Sequence, residues 1–192
     1  MPLGMPKVPF RMPEDEDASW VDLYNGLYQQ RNLFLFQDVG GEISNQLVSL
    51  MLYLGGEFDT RDIFLFINSS GGSVVPGLVL YDTMQCLNVS TTCVSLAASV
   101  ASFILVGGKR SKRTAFPHAR VMMHQPASAY CDEKTGQYTM ETDELIRIRN
   151  SIITAYVDQT GQSMFAIWRN LERDSFMSAT EAKDHGIVDN IG

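Results

Sequence analysis

Hydrophobic residues along the chain alternate between short runs of strand length and longer segments with helical spacing. The run 62–67 (DIFLFI) is nearly continuous, which is typical of a strand buried on both faces. The segment 42–54 instead repeats its apolar residues every three or four positions, which predicts a helix. The predicted strands are 32–37, 62–67, 89–94, 113–116 and 120–124. The predicted helices are 42–54, 76–87, 97–106, 141–159, 164–171 and a short one from a capping box at 178–181 to Gly186. This alternation indicates parallel crossover units and therefore the α/β class.

Two segments fall outside this pattern. Residues 1–19 are rich in proline and carry the acidic run 14–17, so we expect an irregular arm before a single domain over 20–192. Residues 127–139 lack periodicity and contain Gly136, which predicts a loop or hairpin.

Composition excludes several classes of function. The 192 residues carry 22 acidic and 15 basic side chains, and the net charge of −7 argues against nucleic-acid binding. The three cysteines lack zinc-site spacing, so we expect a reducing compartment and no metal. The longest apolar stretch, 94–106, is too short and too polar to span a bilayer, and the N-terminus lacks the apolar region of a secretory signal. We therefore expect no membrane partner.

The three histidines limit the search for a general base. His124 ends an apolar run, and Pro126 tends to stop the strand there, which places His124 at the rim of the sheet. His118 follows a proline in a predicted turn, and His185 lies at a helix end, where a cation complements the helix dipole. A lone histidine at a strand end is more often a hydrogen-bonded structural residue, so His124 alone decides nothing.

Ser99 lies where the predicted strand 89–94 gives way to the small-residue helix 97–106. At such a junction a hydroxyl can project from a tight turn, and the amides of the helix N-terminus can stabilise an oxyanion. The alternative is an ordinary helix N-cap. Ser95 and Ser102 are equally plausible caps, so the pattern does not single out Ser99.

Two further features have an ordinary explanation when each is taken alone. Gly71-Gly72 permits positive φ and close approach of a carbonyl or phosphate, but it lacks the dinucleotide and P-loop patterns, and most such pairs are simple turns. Asp174 lies in a charged cluster at a helix end, which by itself indicates a solvated surface.

In combination these segments resemble the proteolytic subunits of Clp protease, a family of self-compartmentalising serine peptidases. The likeness runs in order from about Leu35 to the C-terminus. The stretches that carry it are 66–72 (FINSSGG), 81–85 (YDTMQ), 96–102 (LAASVAS), 120–126 (RVMMHQP) and 172–178 (ERDSFMS). Four more stretches look most like the plastid-encoded member: 8–11 (VPFR), 103–108 (FILVGG), 116–120 (FPHAR) and 177–182 (MSATEA). The resemblance therefore implies the chloroplast stroma, with the cytoplasm as the alternative.

The resemblance implies a Ser–His–Asp triad. Ser99 matches the nucleophile, His124 the general base and Asp174 the acid that orients the imidazole. The family's oxyanion hole maps onto the backbone amides of Gly72 and Val100.

The family also binds extended substrate as an added strand, which maps onto four backbone positions of this chain. These positions are Ser73 and Val74 on one side and Gln125 and Ala127 on the other.

The implied fold is a crotonase-like α/β spiral with a strand-plus-helix handle at roughly 127–159. Seven subunits form a ring, and two rings of homologous subunits stack through their handles around a chamber. An AAA+ ATPase threads unfolded proteins into that chamber. Because the partner uses the ATP, the resemblance implies no cofactor for this chain.

The sequence departs from the family pattern at Ser70, Ser95 and Val100, where Pro, Gly and Met are usual, and the connection 87–89 is shorter. One alternative function is therefore a catalytically weak or structural subunit of the same mixed ring. Another is a crotonase-type acyl-CoA enzyme, which shares the spiral and the oxyanion hole but needs no serine nucleophile.

Overall fold

The computed structural model describes residues 4–11, 19–56, 61–125 and 135–192, with the backbone alone for 135–141. This part of the chain forms nine strands and seven helices. The strands are β1 (Lys7–Phe10), β2 (Ser19–Asp22), β3 (Asn32–Leu35), β4 (Ile63–Ser69), β5 (Val89–Ala98), β6 (Arg113–Ala115), β7 (Arg120–Met123), β8 (Ser175–Ser178) and β9 (Asn190–Ile191). The helices are α1 (Leu23–Gln29), α2 (Gly41–Gly55), α3 (Val74–Gln85), α4 (Val100–Val106), α5 (Thr135–Thr160), α6 (Met164–Leu171) and α7 (Ala179–His185).

A parallel sheet with strand order β3-β4-β5-β6-β9 forms the centre of the fold. Every neighbouring pair along this path is parallel, and helices α2 and α3 provide the crossovers between its first three strands. The α/β class predicted from the alternation of strands and helices is therefore confirmed.

Strand β5 changes its partner along its length. Residues 91–93 pair with β6, and residues 96–98 pair with β7. Between these parts the register with β4 shifts, because Ile67 faces Cys93 whereas Ser69 faces Ala97. Such a bulge bends a strand and increases its twist. It turns the end of β5, and with it residue 99, toward β7.

One apolar core lies between the sheet and its helices. All seven residues of α4 are buried, which explains the small and apolar character of that segment. Helix α5 contributes Ile152, Ile153 and Tyr156 to the core, whereas most of its side chains over 142–147 are exposed. Within the described residues, no helix has the length and apolar content needed to cross a membrane.

The expectation that strand 62–67 is buried on both faces is wrong. The side chains of β4 alternate between buried and accessible, and Phe64 is 42% exposed. The accessible side of β3 and β4, called the aromatic face below, consists of Phe34, Phe36, Phe64 and Phe66. Phe34 stacks on Phe66 with ring centroids 5.5 Å apart, and Phe36 packs edge-on against Phe34. An apolar run therefore does not by itself show that both faces of a strand are covered within one chain.

The N-terminal segment is more ordered than the irregular arm predicted over 1–19. Strand β1 pairs antiparallel with β2, so that Val8 faces Val21. Helix α1, which the sequence pattern does not predict, packs beside this hairpin. Residues 12–18, which include the acidic run 14–17, lie outside the described residues.

Two predicted boundaries are also wrong. Strand β5 continues to Ala98, so α4 begins at Val100 and not at 97, because pairing with β7 outweighs the helix propensity of the alanines. The loop predicted over 127–139 is wrong from Thr135 onward, where α5 begins, and 127–134 lie outside the described residues. Strands β8 and β9 are short and were not predicted, since neither has a periodic pattern.

The predicted start and end of the last helix are confirmed. The Ser178 hydroxyl accepts from the Glu181 N–H at 3.3 Å, and the Glu181 carboxylate accepts from the Ser178 N–H at 2.8 Å. Gly186 ends α7 in the left-handed conformation, with φ of 86°.

Arg113 and Asp189 join the sheet to the C-terminal segment. The guanidinium donates to both carboxylate oxygens, at 2.9 and 2.6 Å, and its side chain is only 4% exposed. Burial by itself raises the pKa of Asp189, but the hydrogen bonds and charge of Arg113 outweigh it and hold that pKa below its usual range. The folded protein therefore favours the ionised carboxylate.

We expect Asp189→Asn to lower the free energy of unfolding by about 2 kcal/mol near neutral pH, because it removes the charge that faces a buried guanidinium. A group with a lowered pKa stabilises the fold above its unfolded pKa and loses that effect as the pH falls through its folded value. The difference between wild type and variant should therefore shrink below about pH 4. Urea unfolding at several pH values, followed by circular dichroism, measures it.

The matched control is Asp62→Asn, since Asp62 pairs at 2.6 Å with Lys112, whose side chain is 39% exposed. We expect it to cost less than about 1 kcal/mol. Equal effects of the two variants, or a difference for Asp189→Asn that persists in acid, would contradict the assigned role.

Candidate active site

Ser99 connects β5 to α4 in a strained backbone conformation. Its φ is 55° and its ψ is −127°, a region that residues with a side chain rarely occupy. Its N–H donates to the Met122 carbonyl of β7 at 2.8 Å. Strain of this kind persists only where the surroundings enforce it, and such residues cluster at active sites.

The Ser99 side chain is not a helix cap. It occupies the N-cap position of α4 but makes no capping hydrogen bond. Among the described residues, its hydroxyl has no hydrogen-bond partner of any kind. Ser95 is an exposed residue within β5, and Ser102 is fully buried in α4. The structure thus separates three serines that the sequence left equivalent, and Ser99 is the one with a free hydroxyl at the junction.

The Gly71-Gly72 turn passes close to Ser99. The two glycines have φ of 104° and 144°, and a Cβ on Gly71 would lie 2.7 Å from the Ser99 Cβ. A Cβ on Gly72 would lie 2.7 Å from the backbone nitrogen of Val39. This turn therefore requires glycine both for its conformation and for its close contacts.

Val39 holds the turn through its backbone. The Val39 N–H donates to the Gly71 carbonyl at 2.7 Å, and the Ser73 N–H donates to the Val39 carbonyl at 2.8 Å. This bridge leaves the N–H of Gly72 without an acceptor among the described residues. The N–H of Val100, in the first turn of α4, likewise has no partner there. Both amides predicted to form an oxyanion hole are thus available to a ligand.

His124 lies directly after β7 and lines the same small pocket as Ser99. The other residues around that pocket are Val74, Val100, Phe103, Ile152 and Tyr156. The Nδ1 atom of His124 lies 2.5 Å from the carbonyl oxygen of Gln125. Because a carbonyl oxygen only accepts, Nδ1 donates this bond, and the neutral ring keeps Nε2 free as an acceptor. That tautomer is the one a general base for a serine hydroxyl requires.

Asp174 lies between α6 and β8, exposed, in a separate surface depression. Its carboxylate makes no hydrogen bond to His124 in the described part of the chain. The backbone nevertheless brings the two residues together, because Met123 pairs with Ser175 in the antiparallel β7–β8 ladder. One more step along that register places His124 opposite Asp174. The triad as a hydrogen-bonded unit stays a prediction.

The backbone positions predicted to bind substrate are partly engaged within the chain. The Ser73 N–H bonds to Val39, and the Gln125 N–H donates to the Leu171 carbonyl at 2.8 Å. Val74 begins helix α3, so it does not extend the turn as a strand. Ala127 lies outside the described residues. Strand addition at these positions stays a prediction.

Sequence reasoning missed two side-chain contacts that hold the site. Asp38 forms a short hydrogen bond with the Ser70 hydroxyl, which ties the glycine turn to the end of β3. Ser102 and Tyr156 bond to each other at 2.8 Å beneath Ser99. The sequence offers one signal for the second contact: Ser102 lies in an apolar helix and Tyr156 on an apolar helix face, and buried polar groups need hydrogen-bond partners. The sequence does not reveal that these two residues are each other's partners.

Comparison with known proteins places the chain in a family. The Clp protease family model matches residues 14–192. The ATP-dependent Clp protease proteolytic subunit of Morus indica is 59% identical over 191 residues, which cover 98% of this chain and 97% of that one. The proteins of the same name from Cucumis sativus and Nicotiana tabacum are 60% and 56% identical over 191 residues, with 98% of this chain and 98% and 97% of theirs covered. On the strength of a match that spans nearly every described element, this chain belongs to the Clp protease family.

Proposed function

We propose that this chain is a proteolytic subunit of an ATP-dependent Clp protease, a serine endopeptidase that cuts unfolded proteins into short peptides. The observation that carries this proposal is the strained, uncapped Ser99 in the pocket that His124 also lines. The plant relatives named for this role align with 98% of the chain, which adds support. A hydroxyl, a correctly protonated imidazole and unpaired amides are the groups that acyl transfer needs.

In the proposed reaction, the Ser99 hydroxyl oxygen attacks the scissile carbonyl carbon while Nε2 of His124 takes the hydroxyl proton. The carbonyl oxygen becomes an oxyanion, which accepts hydrogen bonds from the amides of Gly72 and Val100. Collapse of this intermediate breaks the C–N bond, and His124 gives its proton to the departing amine. Water, activated by His124, then hydrolyses the acyl-serine ester to a carboxylic acid and restores Ser99. No cofactor enters these steps.

Asp174 supplies the third role. When His124 takes the proton it becomes an imidazolium, which a neutral carbonyl such as that of Gln125 stabilises less than a carboxylate does. In the active arrangement, the Asp174 carboxylate replaces that carbonyl as the acceptor for Nδ1. The β7–β8 ladder ends one residue before this pair, at Met123 and Ser175, which supports the proposed exchange.

The proposed working form is a pair of stacked heptameric rings with homologous subunits, fed by an AAA+ ATPase, in the plastid stroma. The aromatic face supports an assembly, because Phe36 and Phe64 are 49% and 42% exposed in the single chain. Contiguous apolar surface of this kind marks sites where proteins meet. Extended substrate would add as a strand beside the pocket, which leaves sequence preference loose.

A second candidate function is a catalytically weak or structural subunit of the same ring. The specific observation in its favour is that Asp174 does not contact His124 in the described chain. The two candidates differ in whether Ser99 reacts, and the next experiment decides between them.

We expect Ser99→Ala to abolish peptide hydrolysis by the assembled complex and to abolish labelling of this subunit by a fluorophosphonate probe. The reason is that covalent catalysis ends when the nucleophilic oxygen is removed. We expect the turnover rate to fall by a factor on the order of 10⁶, as when the nucleophile of a triad is removed. Fluorogenic peptide turnover and in-gel probe fluorescence are the measurements.

Ser95→Ala is the matched control, because Ser95 is an exposed serine of β5 outside the pocket. It should retain both hydrolysis and labelling. Normal turnover by Ser99→Ala would show that another residue is the nucleophile. A wild-type subunit that assembles but never labels would instead favour the structural role.

We also expect the chain to sediment, together with its partner subunits, as a particle far larger than its own 21.4 kDa. Association would cover the aromatic face, which is otherwise in water. Sedimentation velocity measures this, and Ser99→Ala should sediment identically because its change lies inside the pocket. A strict monomer at working concentration with partner subunits present would argue against ring assembly.

A further inference from the structure

We propose that Ser102 and Tyr156 are positioning residues, which together aim the Val100 amide at the substrate oxyanion. This inference rests on the proposed peptidase function and deepens it. Neither residue belongs to the predicted triad, and neither side chain touches the reacting atoms in the scheme above. Their role follows from how they hold one peptide group beneath Ser99.

The two side chains form a buried chain of hydrogen bonds. The Ser102 hydroxyl lies 2.7 Å from the Ser99 carbonyl oxygen and 2.8 Å from the Tyr156 hydroxyl. Ser102 is 0% exposed and Tyr156 is 1% exposed. Water therefore does not compete for these bonds, and the loss of one leaves a buried polar group without a partner.

The direction of each bond follows from what each group can do. A carbonyl oxygen only accepts, so the Ser102 O–H donates to Ser99. A hydroxyl has one hydrogen, so Ser102 must accept from the Tyr156 O–H. Burial raises the pKa of Tyr156 well above its usual value, an effect that the bond with Ser102 offsets only in part. The tyrosine therefore stays protonated near neutral pH and donates this bond.

The Ser99 carbonyl and the Val100 N–H belong to the same peptide group. A trans peptide is planar, and its C=O and N–H point in opposite directions. Fixing the carbonyl toward the interior of α4 therefore fixes the N–H toward the pocket on the opposite side. The Ser99 carbonyl also accepts the Ser102 N–H at 3.0 Å and the Phe103 N–H at 3.4 Å. The side-chain bond, at 2.7 Å, has the ordinary length of an O–H···O bond and adds a third donor to this carbonyl.

Tyr156 links this peptide group to helix α5. Its ring packs edge-on against Phe103, with centroids 5.7 Å apart, and Phe103 stacks on Tyr81 at 4.3 Å. The hydroxyl is thus held by two layers of aromatic packing and has little freedom to turn. A shift of α5 would move this hydroxyl and release the peptide group that it holds.

We expect Tyr156→Phe to lower kcat of the assembled complex by about tenfold to a hundredfold, less than the full loss of an oxyanion donor. KM should change less than twofold, because the amide acts on charge that develops only in the transition state. A peptide boronate, which mimics that charge, should bind more weakly by the same factor as kcat/KM falls. Tyr81→Phe is the matched control. Tyr81 belongs to the same aromatic cluster, but its hydroxyl contacts Gln159 and not Ser99 or Ser102. Its removal should keep kcat within twofold.

A second pair of variants separates positioning from stability. Ser102→Ala leaves the Tyr156 hydroxyl buried without a partner and should lower both the melting temperature and kcat. Adding Tyr156→Phe removes that unpaired group and should restore the melting temperature while kcat stays low. Recovery of kcat along with the melting temperature would show a structural role only and would overturn the proposal. So would normal kcat and boronate affinity for Tyr156→Phe.

The failure of this proposal is distinguishable from failure of the proposed function. If Ser99→Ala is inactive and the probe labels wild type, but Tyr156→Phe has normal kcat, only the positioning role is wrong. If the probe does not label wild type, the peptidase assignment itself fails, and this proposal fails with it.

Discussion

Ser99 can hold φ of 55° only because its amide, its carbonyl and its Cβ are each fixed by a different part of the chain. Met122 of β7 accepts from the amide, α4 donates to the carbonyl, and Gly71 leaves room for the Cβ. The bulge in β5 carries the strand away from β6 to β7, where the bond to Met122 forms. The strain of about 1–3 kcal/mol that such a residue stores is therefore offset by contacts from β7, α4 and the glycine turn.

Different groups lie at the two ends of the parallel strands. The glycine turn, Ser99 and His124 lie at the carboxyl ends of β4, β5 and β7, where parallel sheets commonly place ligands. At the opposite end, backbone carbonyls near the C-termini of α2 and α5 accept hydrogen bonds from two arginines: Arg31 donates to Leu54 at 2.9 Å, and Arg113 donates to Gln159 at 3.2 Å. Cations there complement the helix dipoles.

The sequence was most informative where one local rule determined the outcome. Helical spacing predicted α2, and the capping box and Gly186 predicted both ends of α7. It failed where pairing decided, as at Ala97 and Ala98, which continue β5 because β7 lies beside them. The pattern left Ser95, Ser99 and Ser102 equivalent, since spacing carries no information about φ or about the tyrosine that reaches Ser102. Only the resemblance to a family singled out Ser99, and the structure adds the physical reason.

The proposed triad would require His124 Nδ1 to exchange one hydrogen-bond acceptor for another. The Gln125 carbonyl is adjacent in sequence and already accepts the bond from Nδ1, but it remains neutral when the imidazole gains a proton. The Asp174 carboxylate offers a charge-assisted bond, which is about twice as strong. Asp174, however, is exposed and lines the same surface depression as Arg169 and Arg173. Excluding water from this pair would strengthen the attraction between the carboxylate and the imidazolium. The register that pairs Met123 with Ser175 runs toward residues 124 and 174, so the backbone keeps this second acceptor close to the imidazole.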